Sequence, residues 1–122
     1  MTLPVLVIDD ESVTRRLVSF ALKPLHIEVL AAENATSALE IVRSQHVSLV
    51  LVDINLPDMD GFRLMQELRT IAHMADVPMI SFTARHDADD EARARELGVI
   101  GLLYKPFSMQ DLRDMVMKYA VQ

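Results

Sequence analysis

Five short apolar runs recur along the chain, each followed by a stretch of helical spacing. This alternation constrains the fold more than any other feature. The runs are Pro4–Asp9, Glu28–Ala31, Val47–Asp53, Val77–Phe82 and Val99–Leu103. Runs of this length, rich in Val, Ile and Leu, read as strands. Val5-Leu6-Val7-Ile8 and Val50-Leu51-Val52 carry no polar residue on either face. Strands buried on both faces belong to parallel sheets covered by helices on each side.

The intervening stretches carry helix signals. Val13, Leu17, Phe20 and Ala21 are spaced to form the apolar face of a first helix that stops at Pro24. Asn34 is a good N-cap for a second helix with face Ala38, Leu39, Ile41 and Val42. A third helix, after a loop from Pro57 to Gly61, carries Phe62, Met65, Leu68 and Ile71. A polar fourth helix spans Asp87 to Leu97, with Gly98 as its C-cap. Ser108 opens the fifth, paired with Asp111 three residues on. The pattern predicts an α/β fold: a (βα)5 flavodoxin-like doubly wound sandwich around a five-stranded parallel sheet of order 2-1-3-4-5. Helix five reaches nearly to the last of the 122 residues, which leaves no room for a second domain within them.

Composition narrows the function. The chain is 51% hydrophobic and 25% charged, with a formal net charge of −6. It has no basic run of the kind a nucleic-acid surface needs. With no cysteine, neither a disulfide nor a thiolate metal site can form. His26, His46, His73 and His86 are scattered without metal-ligand spacing and read as solvated or helix-end residues. No apolar stretch approaches the ~20 residues that cross a bilayer. The N-terminus enters strand pattern without a basic leader, so a cytoplasmic location is expected, with no direct contact to nucleic acid or membrane.

The chemistry concentrates at strand ends. Asp53 ends the third run, Asp9-Asp10-Glu11 ends the first, and Lys105 ends the fifth beside Pro106. In an open parallel sheet, ligands bind beyond the carboxyl ends of the strands, where strand order reverses. With order 2-1-3-4-5 that point lies between strands one and three, so Asp9, Asp10 and Asp53 are expected to converge. Three carboxylates this close repel one another, and at least one pKa should rise without a cation. A hard, oxygen-seeking cation resolves the conflict, and Mg2+ is the expected one.

Four motifs then carry a resemblance: Val7-Ile8-Asp9-Asp10-Glu11, the stretch Leu51 to Gly61, Ser81-Phe82-Thr83-Ala84, and Lys105-Pro106-Phe107. In this order and on these elements, they resemble a receiver domain of the two-component response regulators, over residues 1–122. The resemblance implies a phosphorylation-dependent signalling domain, not an enzyme beyond its own phosphorylation and dephosphorylation. Asp53 would accept the phosphoryl group from a histidine kinase or a histidine phosphotransfer protein. Asp10 would hold Mg2+ directly, Asp9 mostly through water, with Asp53 and the backbone carbonyl of Asn55 as further ligands. Thr83 would donate its hydroxyl to a phosphoryl oxygen, and Lys105 would supply positive charge. The small Ala84 would leave the acceptor open. Asn55 and Arg85 would modulate water attack on the phosphorylated state. The Lys105-Pro106 bond would be cis. The output partner would read a face of helix four, strand five and helix five.

One position departs from the family pattern. Receivers usually carry Tyr or Phe three residues before the lysine, where this chain has Leu102. Tyr104 shares that face of the strand but lies about 6.6 Å further along. A muted conformational signal at strand five is therefore expected, with the change read through the loop after Thr83 and helix four. Two other readings compete. An aspartyl phosphatase of the haloacid dehalogenase type would need a second Asp two residues after the nucleophile, where this chain has Asn55. A degenerate receiver acting only as a docking module would lack site residues that are all present here. A nucleotide-binding module is not expected, because no Gly-rich phosphate loop exists among three glycines.

Overall fold

Parallel strands cannot be joined by tight turns, and the helices between the apolar runs provide the crossovers. The computed structural model describes residues 3–84 and 87–119. Its strands are β1 (Val5–Ile8), β2 (Val29–Ala32), β3 (Leu49–Asp53), β4 (Met79–Thr83) and β5 (Val99–Tyr104). The helices are α1 (Ser12–Leu22), α2 (Ala35–Ser44), α3 (Gly61–Thr70), α4 (Ala88–Glu96) and α5 (Met109–Tyr119). Every strand pair is parallel and the order is β2-β1-β3-β4-β5, as the alternation predicts.

The sheet has two covered faces, which is why β1, β3 and β4 are buried at every residue. Leu6, Ile8, Val50, Val52 and Met79 pack under α2 and α3, with Ala94 of α4. Val5, Val7, Leu49, Leu51, Ile80 and Phe82 pack under α1 and α5. Successive residues of one strand thus feed opposite cores.

Local signals end the helices. The Asn34 side chain accepts from the Ser37 N–H at 2.8 Å. Asp87 accepts from Asp89 and Asp90 at the start of α4. Ser108 accepts from the Asp111 N–H at 3.0 Å. After α4, Gly98 takes φ 86°, a left-handed C-cap that suits glycine. β4 and β5 each run further toward the carboxyl end than their apolar runs do. Their pairing continues through Thr83 and Tyr104, and the Lys105 N–H donates to the Thr83 carbonyl at 2.7 Å.

The face expected for helix one needs correction. α1 buries Val18, Ala21 and Leu22 and half-buries Leu17, whereas Val13 is 72% and Phe20 67% exposed. Phe20 precedes Ala21 by one residue, so it lies about 100° round the helix from the buried stripe. The apolar spacing is real, but it is wider than the surface the sheet and α5 cover.

Candidate functional site

Register brings the acids together. Ile8 of β1 pairs with Val52 of β3, so the next residues, Asp9 and Asp53, lie side by side at the carboxyl ends of the two central strands. Asp9 is fully buried and Asp53 is 5% exposed. Each is held by the turn it begins. Asp9 Oδ1 accepts from the Glu11 N–H at 2.9 Å, and Asp53 Oδ1 accepts from the Asn55 N–H at 2.9 Å. Arg15 donates to the Asp9 carbonyl at 2.8 Å and ties this turn to α1. Asp10 stands exposed beside them, and carboxylate oxygens of Asp9, Asp10 and Asp53 lie within 4.8 Å of one another.

Lys105 reaches the same point from the end of β5. Its Nζ lies 2.7 Å from Asp9 Oδ2, 2.8 Å from Glu11 Oε1 and 3.0 Å from Asp53 Oδ2. The contact with Asp9 is a close ion pair and not an aligned hydrogen bond, so that buried oxygen keeps unused acceptor capacity. One ammonium therefore serves three carboxylates, with Asp10 alongside. An oxygen-rich cluster this acidic fits a hard divalent cation.

The charges shift accordingly. Burial raises the Asp9 carboxyl above its usual range, and the Asp53 charge adds to the rise. A rise was expected from repulsion alone; burial is the larger cause. Contact with Lys105 lowers Glu11. Burial pulls Lys105 down, but its contacts with Asp9, Glu11 and Asp53 outweigh that and hold it above the usual lysine range.

Other expected residues fall around this cluster. Thr83, buried, ends β4 next to β3, where Phe82 pairs with Asp53. Ala84 is exposed and lines a cavity of about 380 Å³ with Glu11, Val13, Thr14, Leu17, Lys105, Pro106 and Phe107. Asn55 borders a second, polar cavity of about 530 Å³ with Asp10, Asp60, Asp90 and Arg93. The Lys105-Pro106 bond is cis, as the resemblance implies. Leu102 is half-buried and packs toward the α2–α3–α4 core. Arg85 lies outside the described residues.

Three contributors were not singled out from the sequence as site residues. Glu11 is the third carboxylate on Lys105, although its acidic run was noted. Gly61 closes the loop after Asp53: a Cβ there would lie 2.6 Å from the Asp53 carbonyl oxygen and 2.7 Å from Ile54. Only glycine permits that approach. Asp58, in the same loop, accepts from the N–H groups of Ala35 at 2.9 Å and Thr36 at 3.2 Å, so the loop braces the start of α2. Tyr104 adds a link of its own, donating its hydroxyl to Glu91 of α4.

The family model described as response regulator receiver domain matches residues 5–117. The chain belongs to this family. Among curated relatives, the probable transcriptional regulator ycf27 of Porphyridium aerugineum is 38% identical over 108 residues, covering 88% of this chain and 44% of the relative. The sensor histidine kinase RcsC of Escherichia coli K12 is 33% identical over 116 residues, covering 95% of this chain and 12% of the kinase. The receiver chain therefore spans less than half the length of these curated relatives. Among solved structures, the chemotaxis response regulator CheY4 of Vibrio cholerae superposes with TM-score 0.91 at 24% identity, covering 98% and 99% of the two chains. The receiver domain of the sensor histidine kinase PA1611 of Pseudomonas aeruginosa PAO1, with a magnesium ion coordinated in its active-site cleft, gives TM-score 0.88 at 23% identity. It covers 100% of each chain. These likenesses establish the same receiver fold. Among the described residues no helix is long and apolar enough to cross a membrane.

Proposed function

We propose that this receiver domain, residues 1–122, is a Mg2+-dependent phosphorylation switch that accepts a phosphoryl group on Asp53. The observation that carries the reading is the meeting of Asp9, Asp10 and Asp53 with Lys105 at the switch point of the sheet. The donor is a histidine kinase or a histidine phosphotransfer protein. A carboxylate oxygen of Asp53 attacks phosphorus, a new O–P bond forms, and the N–P bond to the donor imidazole breaks. The imidazole leaves with the electron pair and takes up a proton.

The side chains divide the work. Asp9, Asp10, Asp53 and the Asn55 carbonyl would hold Mg2+, which when bound would neutralise charge on the transferring group. Lys105 stays protonated throughout, because its raised pKa lies well above neutrality. It offers a compact positive charge to phosphoryl oxygen. Thr83, at the neighbouring strand end, donates its hydroxyl to another. Asn55, two residues after Asp53, and Arg85, two residues after Thr83 in the sequence, set the hydrolysis rate of the phosphorylated state. Output passes through the α4–β5–α5 face to a partner or a fused domain, in the cytoplasm. The domain catalyses only its own phosphorylation and dephosphorylation.

The test is direct. Incubation with acetyl phosphate and Mg2+ should add the mass of one phosphoryl group, and Asp53→Asn should not gain it at that position. Phosphorylation of Asp53→Asn at an undiminished rate and level would overturn the assignment. So would an unmodified parent that folds and binds Mg2+.

A further inference from the structure

Two histidines that are 27 positions apart in sequence meet at the far end of the sheet from the acidic cluster. His46 lies between α2 and β3, and His73 lies in the 3-10 turn (Ala72–Met74) between α3 and β4. Both precede the strands whose carboxyl ends carry Asp53 and Thr83. A five-residue strand separates the two ends by about 17 Å. The imidazole centroids are 4.4 Å apart with planes tilted by 43°.

The ring of His73 is oriented by the backbone. Its Nε2 lies 2.6 Å from the Val42 carbonyl. A carbonyl only accepts, so Nε2 carries the hydrogen and the neutral ring keeps its lone pair on Nδ1. Metal-binding imidazoles have this arrangement, one nitrogen anchored on a carbonyl and the other open. Val42 is in the last turn of α2, where unsatisfied carbonyls place partial negative charge and favour a nearby cation. His46 is exposed, which gives water access to the remaining coordination positions. Imidazole prefers zinc, copper and nickel, whereas a carboxylate cluster prefers magnesium. The two ends of the sheet therefore offer different ligand chemistries.

We infer that His46 and His73 bind one divalent transition cation of the zinc class. Among the described residues the only group of three or more ligating side chains is the acidic one, so the histidine pair supplies two ligands and water the rest. A bound cation ties the end of α2 to the α3–β4 connection.

The experiment titrates Zn2+ into the protein in excess Mg2+ at mildly alkaline pH, because imidazole ligates a metal as the neutral ring. Calorimetry gives the affinity, and nitrogen–proton spectra of the imidazoles give the place. One equivalent of Zn2+ should shift the ring signals of His46 and His73 and leave those of His26 in place. His46→Ala should weaken zinc binding at least about tenfold, as loss of a ligand requires, with an unchanged circular dichroism spectrum. His73→Gln keeps a donor for the Val42 carbonyl but removes Nδ1, so it should weaken zinc binding without melting α2. Zinc affinity equal to the parent in both variants would overturn the site. So would shifts confined to the acidic cluster, or no zinc binding in the parent.

Discussion

Lys105 carries the electrostatics of the metal-free site, because one ammonium faces three carboxylates. Removing one member of a buried ion pair costs about 3–5 kcal/mol. The lysine keeps some contact with water, with its side chain 16% exposed, so Lys105→Met should cost less, about 2 kcal/mol. Added Mg2+ should recover part of that loss, since a cation then balances Asp9 and Asp53. Urea midpoints with and without Mg2+ measure both effects, and equal metal-free midpoints would refute the account. The pH dependence has a defined sign. A lysine raised by folding contributes stability that is complete below its ordinary value of about 10.4 and is lost as pH climbs through the folded value. The parent should therefore converge on Lys105→Met above about pH 10.4. Asp9 gives a slope of the same sign at lower pH, though there the charged form is the one that folding disfavours. Its raised carboxyl costs stability once the pH passes its ordinary value of about 3.9, because the unfolded chain then releases a proton that the folded state retains.

At the scale of elements, two helices are tied to the site by single side chains. Asp58 sits in the loop after Asp53 and accepts from the first N–H groups of α2, which holds its carboxyl below the usual range. A carboxylate at a helix N-terminus is worth about 0.3–1 kcal/mol, and Asp58 is solvent-exposed, so Asp58→Asn should cost about 0.5 kcal/mol at neutral pH. A depressed carboxyl contributes stability above its ordinary value of about 3.9 and loses it as pH falls through the folded value. Parent and Asp58→Asn should thus draw together below about pH 4 in thermal melts. α4 is different. It buries only Ala94, and its first half is bound to β5 by Tyr104 and Glu91. Leu102, at the position where receivers usually carry a ring, packs inward and has no polar end. Beryllofluoride should therefore change hydrogen exchange mainly in α4 and the loop before it, and only weakly over Leu102–Tyr104. A large change centred on Leu102–Tyr104 with α4 silent would refute this.

For the whole molecule, the acidic cluster sets carboxylates close together at the cost of mutual repulsion. On the proposed reading Mg2+ binds the folded domain in preference to the unfolded chain, so it should raise the melting temperature. At a hundredfold excess over the dissociation constant the gain is about 2.7 kcal/mol. Asp10→Asn should weaken this response while leaving the metal-free domain as stable as the parent or more so, because one like charge leaves an acidic cluster. A metal-free Asp10→Asn domain that melts well below the parent would mean that these carboxylates serve the turn alone. Asp9 does brace that turn through the Glu11 N–H, but Asp10 is exposed, which separates the two roles.

What could be read along the chain follows from properties local to it. Strand periodicity, the caps at Asn34, Ser108 and Gly98, and carboxylates at strand ends depend on neighbours within a few residues. They determined the parallel α/β fold and the placing of Asp9, Asp10, Asp53, Thr83 and Lys105 at one end of the sheet, whereas the strand order 2-1-3-4-5 was expected only as that of the flavodoxin-like fold. Packing decided the rest. Val13 and Phe20 share the apolar spacing of α1, yet only the contact with the sheet and α5 could show that they stay exposed. Glu11 meets Lys105 across 94 residues of sequence, Asp58 meets α2 across 23, and His73 meets Val42 across 31. Such pairs leave no periodic trace, because what joins them is the distance between crossovers after the sheet has formed.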